Sequence, residues 1–401
     1  MYRDKVSLTV ERISAAYRLG SVEAYTSKWE GRAQREYRRG WVIYSSTPGL
    51  EAPRLGLEAS GGGLAEASLY TGSRSMGVRE VSPSDVEEAV KVIVDTARSA
   101  GCDVEAVVEY VVERLTITHS EGTASMAKGY TDVILSLVYR GATSSTRLGV
   151  LGFLEKPLLK LLRSIVEYKC GLAKAYSRAR SLSPLYYGKW SIILYGEAAG
   201  ALLHELGHAL EATRPAFKPN TRLRVQQPLR IYDDPYYPLS PAWRPFDDEA
   251  VEAKRKILIE DDTIVNLLHT RETAYNMGGV PGNAWGLFHR PTPGHTTLVM
   301  EAGDWGEREI IEETRRGILV DQVVEAYVRD GVITIIPETA WLVESGEVKE
   351  PLKVSRIRIP VTKALETIDA ISRIQRLRLS TERDRVQAEV APTLRLQGYV
   401  D

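Results

Sequence analysis

The segment 189–212, "KWSIILYGEAAGALLHELGHALEA", constrains the fold more than any other part of this 401-residue chain. "WSIILYG" is a continuous apolar run closed by Gly196, the pattern of a strand covered on both faces. The next run is apolar almost all round. Ala201, Leu202, Leu203, Leu206, Ala209 and Leu210 leave no wide polar stripe, so it reads as a buried helix. That helix nevertheless carries His204, Glu205 and His208. Polar side chains on a buried helix are costly unless paired. The fold must therefore bury a strand and a helix beside it, and supply a partner for two imidazoles.

Helical geometry narrows what the partner is. Residues four apart lie about 40° apart around the axis and about 6 Å along it, so His204 and His208 share a face and can share a metal ion. Glu205 sits about 100° round from His204, at the edge of that face, where it can reach water at the metal. H-E-x-x-H is the pattern of zinc peptidases, in which two imidazoles hold Zn2+ and the carboxylate takes a proton from water. Gly207 costs roughly 1 kcal/mol of helix propensity relative to Ala, which points to a close backbone approach. Glu211 lies one turn beyond His208 and about 10 Å along the axis from His204, so it suits a supporting role better than direct ligation. The next histidine is His269. It, His289 and His295 are candidates for a third ligand, although each reads more readily as structural or solvent-exposed.

The rest of the chain sets the context. Its length exceeds the usual size of a single core, so two domains are expected. A net charge of −1 recommends no nucleic-acid partner. The N-terminus lacks a signal-like apolar core and no run approaches the ~20 apolar residues of a membrane span, so a cytoplasmic protein is expected. Cys102 and Cys170 are the two cysteines and read as ordinary thiols.

Along the first half, 6–19 reads as an amphipathic helix, followed by strands at about 21–28 and 31–46. The glycines at 61–63 read as a hairpin turn, since the strand-to-helix context of a phosphate loop is missing. Ser82-Pro83-Ser84-Asp85 caps a helix at 84–100. A β meander with a turn at Ser120-Glu121-Gly122 precedes a long helix at about 155–181. The second half reads as β-rich, with a turn at Asp330-Gly331, a helix at 362–374 and a closing strand near 393–399. Seven prolines between 214 and 248 preclude a long helix or central strand there, and suggest a lid. The expected architecture is α+β, with a mixed α/β N-terminal domain at 1–185 and a β-rich C-terminal domain at 186–401 carrying the buried HExxH helix.

"SIILYGEAAGALLHELGHALEA" resembles the strand-plus-helix signature of the TldD/PmbA metallopeptidases, once called modulators of DNA gyrase. The likeness continues through "SVEAYTSKWEGRAQREYRRG", "TAWLVESGEVKEPLK", "ISRI" and the closing "APTLRLQGYVD", in chain order and at low identity. It implies zinc-dependent cleavage of peptides or unfolded protein segments. His204 and His208 would be the ligands and Glu205 the general base. It also implies a homodimer or a heterodimer with a paralogue, often an active subunit beside a metal-free one. Two departures stand out. The family spacing is usually H-E-x-x-x-H, which needs a wider local turn than the present spacing. The family's third ligand is a Cys whose place falls near Arg378 to Thr381 here, and this chain has no Cys after Cys170. Glu382, Asp384 and Glu211 are the substitutes considered. The alternative is a silent, metal-free subunit.

Overall fold

The computed structural model describes residues 2–382 and 385–401, apart from Leu19 and the short stretches 48–49, 52–54 and 57–61. Asp384 therefore lies outside the described residues, as does Gly61 of the expected hairpin. Gly62 and Gly63 lie in irregular chain.

Two large sheets account for most of the structure. Strands Trp41–Thr47, Ser21–Tyr37, Tyr2–Arg18, Asp103–His119 and Gly122–Tyr139 lie side by side in a nine-stranded sheet. Gly72–Met76 and Ala142–Leu151 both pair with Gly122–Tyr139. A helix was expected at 6–19, but residues 6–18 lie in a strand. Tyr2–Arg18 pairs along its length with Ser21–Tyr37 on one side and Asp103–His119 on the other. Val6 and Val10 turn to one face and are buried, so period-two burial overrides the helical reading. Two helices cover this sheet, Pro83–Ser99 and Lys156–Tyr176. The first is capped by Ser82, whose hydroxyl accepts from the Asp85 amide. Cys102 and Cys170 are joined by a disulfide, which corrects the reading of both as free thiols.

The second sheet has twelve strands and contains a closed barrel. Val332–Glu344, Arg316–Arg329, Gly188–Leu194 and Arg385–Val400 are successive neighbours. Ile357–Pro360 pairs with both Arg385–Val400 and Val332–Glu344, closing the circuit. Asp330 and Gly331, both at positive φ, make the tight turn between the first two. The expected helix at 362–374 is only Val361–Glu366. It gives way to strand Ala370–Glu382, which pairs with Arg385–Val400. The balance is thus further toward β than expected.

The proline-rich stretch holds one strand against expectation, Leu229–Asp233, paired on both sides, and only its later part is buried. Residues 240–251 are all buried, and Trp243, Phe246 and Ala250 pack against Val6, Trp41 and Ile117 of the first sheet. A buried ion pair fixes the same seam. Arg35 grips Asp4 through Nε at 2.8 Å and Nη2 at 2.5 Å, and donates to the carbonyls of Gly286 and Asp248. No helix among the described residues is long and apolar enough to cross a membrane.

Candidate metal centre

The site helix is Glu197–Ala209, reached from the barrel strand Gly188–Leu194 through Gly196 at positive φ. Its apolar residues Leu202, Leu203 and Leu206 join the main core of this half of the chain. Two glycines let it lie close to its neighbours. A Cβ on Gly207 would stand 3.0 Å from His295 Nδ1, and one on Gly200 would stand 2.8 Å from the Arg378 Cβ. The close approach expected at Gly207 is therefore made by His295.

His204 and His208 project together from the last turns, with Nε2 atoms 3.2 Å apart. Each ring is held from behind. His204 Nδ1 donates to Glu389 Oε1 at 2.8 Å, and His208 Nδ1 donates to Glu211 Oε1 at 2.8 Å. With both Nδ1 atoms donating to carboxylates, both neutral rings would turn lone pairs toward each other at Nε2. That arrangement is repulsive unless a proton or a metal ion lies between them. A histidine with its far nitrogen on a carboxylate is the usual form of a metal-ligating imidazole. The carboxyl end of a helix also favours a cation.

Glu382, at the end of strand Ala370–Glu382, brings Oε2 to 3.7 Å from His208 Nε2. His204, His208 and Glu382 form one group whose ligand atoms lie within 4.8 Å of one another; His204, His295 and Glu389 form another. The two differ in geometry and accessibility. Glu389 Oε1 accepts from His204, Ser380 at 2.7 Å and His295 at 3.1 Å, and Oε2 takes Arg378 Nη1 at 2.9 Å. That carboxylate is saturated within the protein. Burial would raise it, but the charges of His204 and Arg378 hold it well below the usual carboxylate range. The group with Glu382 has the facing nitrogens instead. It is also the more accessible, with side chains 13%, 22% and 31% exposed for His204, His208 and Glu382.

Glu205 is buried, and its carboxyl is pushed up by burial, against the pull of His204, His208 and the Val328 amide. His208 is pushed up to about 9. Burial opposes the charged ring, but the Glu211 hydrogen bond and charge, with Glu382 and Glu205 behind them, outweigh it. His269 donates to or accepts from Thr273, and burial with Lys256 nearby pushes it down to about 4. It lies with the small helix Arg271–Met277 and is a structural histidine.

The structure thus brings His204, Glu205, His208, Glu211 and Glu382 together. Reading the sequence alone missed Glu389, and it marked Arg378 to Thr381 only as the place of a Cys ligand, not for the contacts Arg378 and Ser380 make to Glu389. One signal was available for Glu389: a lone carboxylate in the apolar run "VQAEVAPTL" has to be paired inside the fold.

A buried strand-and-helix pair offering two facing imidazoles and a carboxylate defines a protein with a candidate metal centre at a barrel edge. Residues 187–399, more than half of the chain, match the PmbA/TldA metallopeptidase C-terminal domain. The chain belongs to the TldD/PmbA family of metallopeptidases. It is 29% identical over 208 residues to Metalloprotease MJ0996 of Methanocaldococcus jannaschii, covering 49% of this chain and 46% of that one. It is 30% identical over 176 residues to a metalloprotease of Archaeoglobus fulgidus, covering 41% of each. The matched region spans less than half the length of these curated relatives. The fold is similar to that of TldE from Thermococcus kodakarensis, with a TM-score of 0.76 at 18% identity over 100% of this chain and 96% of that one.

Proposed function

We propose that the chain is a zinc-dependent peptidase that hydrolyses peptides or unfolded protein segments. His204, His208 and Glu382 would hold the ion, and Glu205 would act as general base. The observation that carries this reading is the pair of Nε2 atoms facing each other at 3.2 Å with both Nδ1 atoms tied to carboxylates. Around that pair stand Glu205, Glu211, Glu382 and Glu389, with the Arg378 guanidinium held on Glu389, and the carboxylates make a field that favours a cation. When bound, zinc supplies Lewis acidity to a peptide carbonyl and to water. Glu389 and Glu211 fix the tautomer and direction of the two rings. Glu205, its proton affinity raised by burial, accepts a proton at its carboxylate and returns it to the leaving amine. The expected assembly is a homodimer or a heterodimer with a TldD/PmbA paralogue.

A second reading, a silent metal-free subunit, is favoured by one observation. Ser380 stands in the stretch 378–381 where the resemblance puts a Cys, and its hydroxyl is used on Glu389. The two readings part on metal content and turnover. The peptidase reading expects about one zinc per chain, lost on His204→Ala. It also expects peptide cleavage that Glu205→Gln abolishes with zinc content unchanged. Cleavage retained by Glu205→Gln removes its assigned role, and a metal-free wild-type protein supports the silent subunit.

A further inference from the structure

A cleft of about 450 Å³ lies between the first sheet and the loops before the barrel's closing strand. Its floor is one face of the sheet. Val10 pairs with Glu113 and Leu8 with Leu115, while Glu113 and Leu115 pair with Lys128 and Met126, so these side chains share a side. Its roof carries Arg244, Trp285 and Arg385. A small notch beside it shares Trp285, His289 and Arg385 with the cleft and is also lined by Glu382. The cleft therefore runs toward the candidate metal centre.

Its charge is unbalanced. Four cationic side chains line it: Arg12, Lys128, Arg244 and Arg385. Among the described residues, two carboxylates answer them. Lys128 pairs with Glu113 at 3.2 Å, and Arg244 and Arg385 share Asp248 at 2.7 and 2.6 Å. Asp248 is also engaged by the Gly286 amide. Arg244 is 3% exposed, yet its Nη1 has no hydrogen-bond partner. Both guanidinia lie over the Trp285 ring, with Arg244 4.5 Å and Arg385 5.2 Å from its centroid, which holds their planes in place. Burial and the neighbouring cations hold Lys128 and Arg385 below their ordinary values, as expected where positive charge is crowded.

A buried guanidinium with a spare donor, beside a second one on the same ring, is a receptor for a planar anion. We infer that this cleft takes a carboxylate of the substrate, either a peptide's C-terminal carboxylate or an Asp or Glu side chain. The apolar floor of Leu8, Val10, Leu115 and Met126 would hold the residues around that group. The inference rests on the peptidase reading for the word substrate, but its test is binding, so the two fail separately.

Four fluorescently labelled peptides of one core sequence test it by anisotropy on the purified protein, with its zinc content measured. One has a free C-terminal carboxylate and one a C-terminal amide. The other two are amides with an internal Glu or Gln. Turnover is followed in parallel. At least one carboxylate peptide should bind about tenfold or more tightly than its neutral counterpart. Whichever pair shows the preference identifies the source of the carboxylate. Arg12→Gln and Arg244→Gln, each with wild-type zinc content, should reduce the preference to less than about threefold. If Arg244→Gln does not fold, the half-buried Arg12 carries the test alone. Equal affinity for all four peptides overturns the inference, as does a preference that survives the folded variants. Preference without turnover overturns the peptidase reading and leaves the anion site standing.

Discussion

Glu211→Gln offers a test in which two effects of one carboxylate oppose each other. Glu211 holds His208 Nδ1 at 2.8 Å, and removing such an outer partner typically weakens metal binding about 10–100-fold. The same carboxylate raises the proton affinity of His208. Its folded value is about 9 against 6.5, even with burial opposing the charged ring. At about 1.36 kcal/mol per unit the difference is on the order of 3 kcal/mol. In the metal-free protein that stability is fully present below about pH 6.5 and is lost as pH rises through about 9. Zinc and the proton compete for Nε2. At about pH 7 the proton penalises zinc by roughly 100-fold in the wild type, since the pKa lies two units higher. In the variant the ring returns toward or below its ordinary value, and the penalty falls to about twofold or less. The two effects nearly cancel at about pH 7, where zinc affinity should stay within about tenfold of the wild type. At about pH 9.5 proton competition is small in both proteins, and the full loss of about 10–100-fold should appear. Zinc titration against a chromogenic chelator at the two pH values reads this directly. Equal loss at both would show that Glu211 does not act through the protonation of His208. No loss at either would remove it from the site.

Two further outcomes concern the frame around the site. Glu249 is wholly buried, with Oε2 on the Arg271 amide and Oε1 without a partner. Burial first, and then Asp247, push its carboxyl up to about 8 from 4.5. The unfolded chain gives up this proton at the lower pH, so stability should fall as pH rises between about 4.5 and 8. Thermal midpoints at about pH 5 and about pH 8.5 should show that this part of the slope disappears in Glu249→Gln; an unchanged slope assigns it elsewhere. The disulfide closes a separation of 68 residues and should contribute about 2–4 kcal/mol. A reductant should therefore lower the wild-type melting temperature and leave that of Cys170→Ser unmoved; equal melting with and without reductant refutes this.

What was legible in the sequence was local. The buried strand and helix at 188–209, the Ser82 cap and the Asp330-Gly331 turn depend on neighbours a few residues apart, and all three are found. The errors came where tertiary pairing decides. Residues 6–19 have apolar spacings that fit both periods, and two neighbouring strands settle the matter. The same holds for 370–374, drawn into a strand by Arg385–Val400. The prolines at 235, 238, 241 and 245 ruled out regular structure, but not burial. That segment is wedged between the sheets because Trp243 and Phe246 complete the first sheet's core. At the site, the facing pair of imidazoles was readable from helical periodicity. The carboxylate behind His204 was not, because it lies 185 residues away.

The strand Ala370–Glu382 also changes where a third ligand is to be sought. Residues 380 and 382 are two apart on one strand and so lie on the same side. They meet different ends of the imidazole pair. Ser380 Oγ lies 3.4 Å from His204 Nδ1 and 2.7 Å from Glu389 Oε1, behind the ring, whereas Glu382 Oε2 approaches His208 Nε2 at its front. A thiol placed at 380 would inherit the position behind the ring. Ser380→Cys should therefore leave zinc affinity within about threefold of the wild type, without creating a thiolate ligand. Glu382→Ala should weaken zinc by more than the roughly 10–100-fold expected for an outer partner. Cobalt substitution distinguishes the two directly, because a thiolate ligand adds an intense charge-transfer band in the near ultraviolet. That band in Ser380→Cys, together with unchanged affinity in Glu382→Ala, would move the third ligand to position 380.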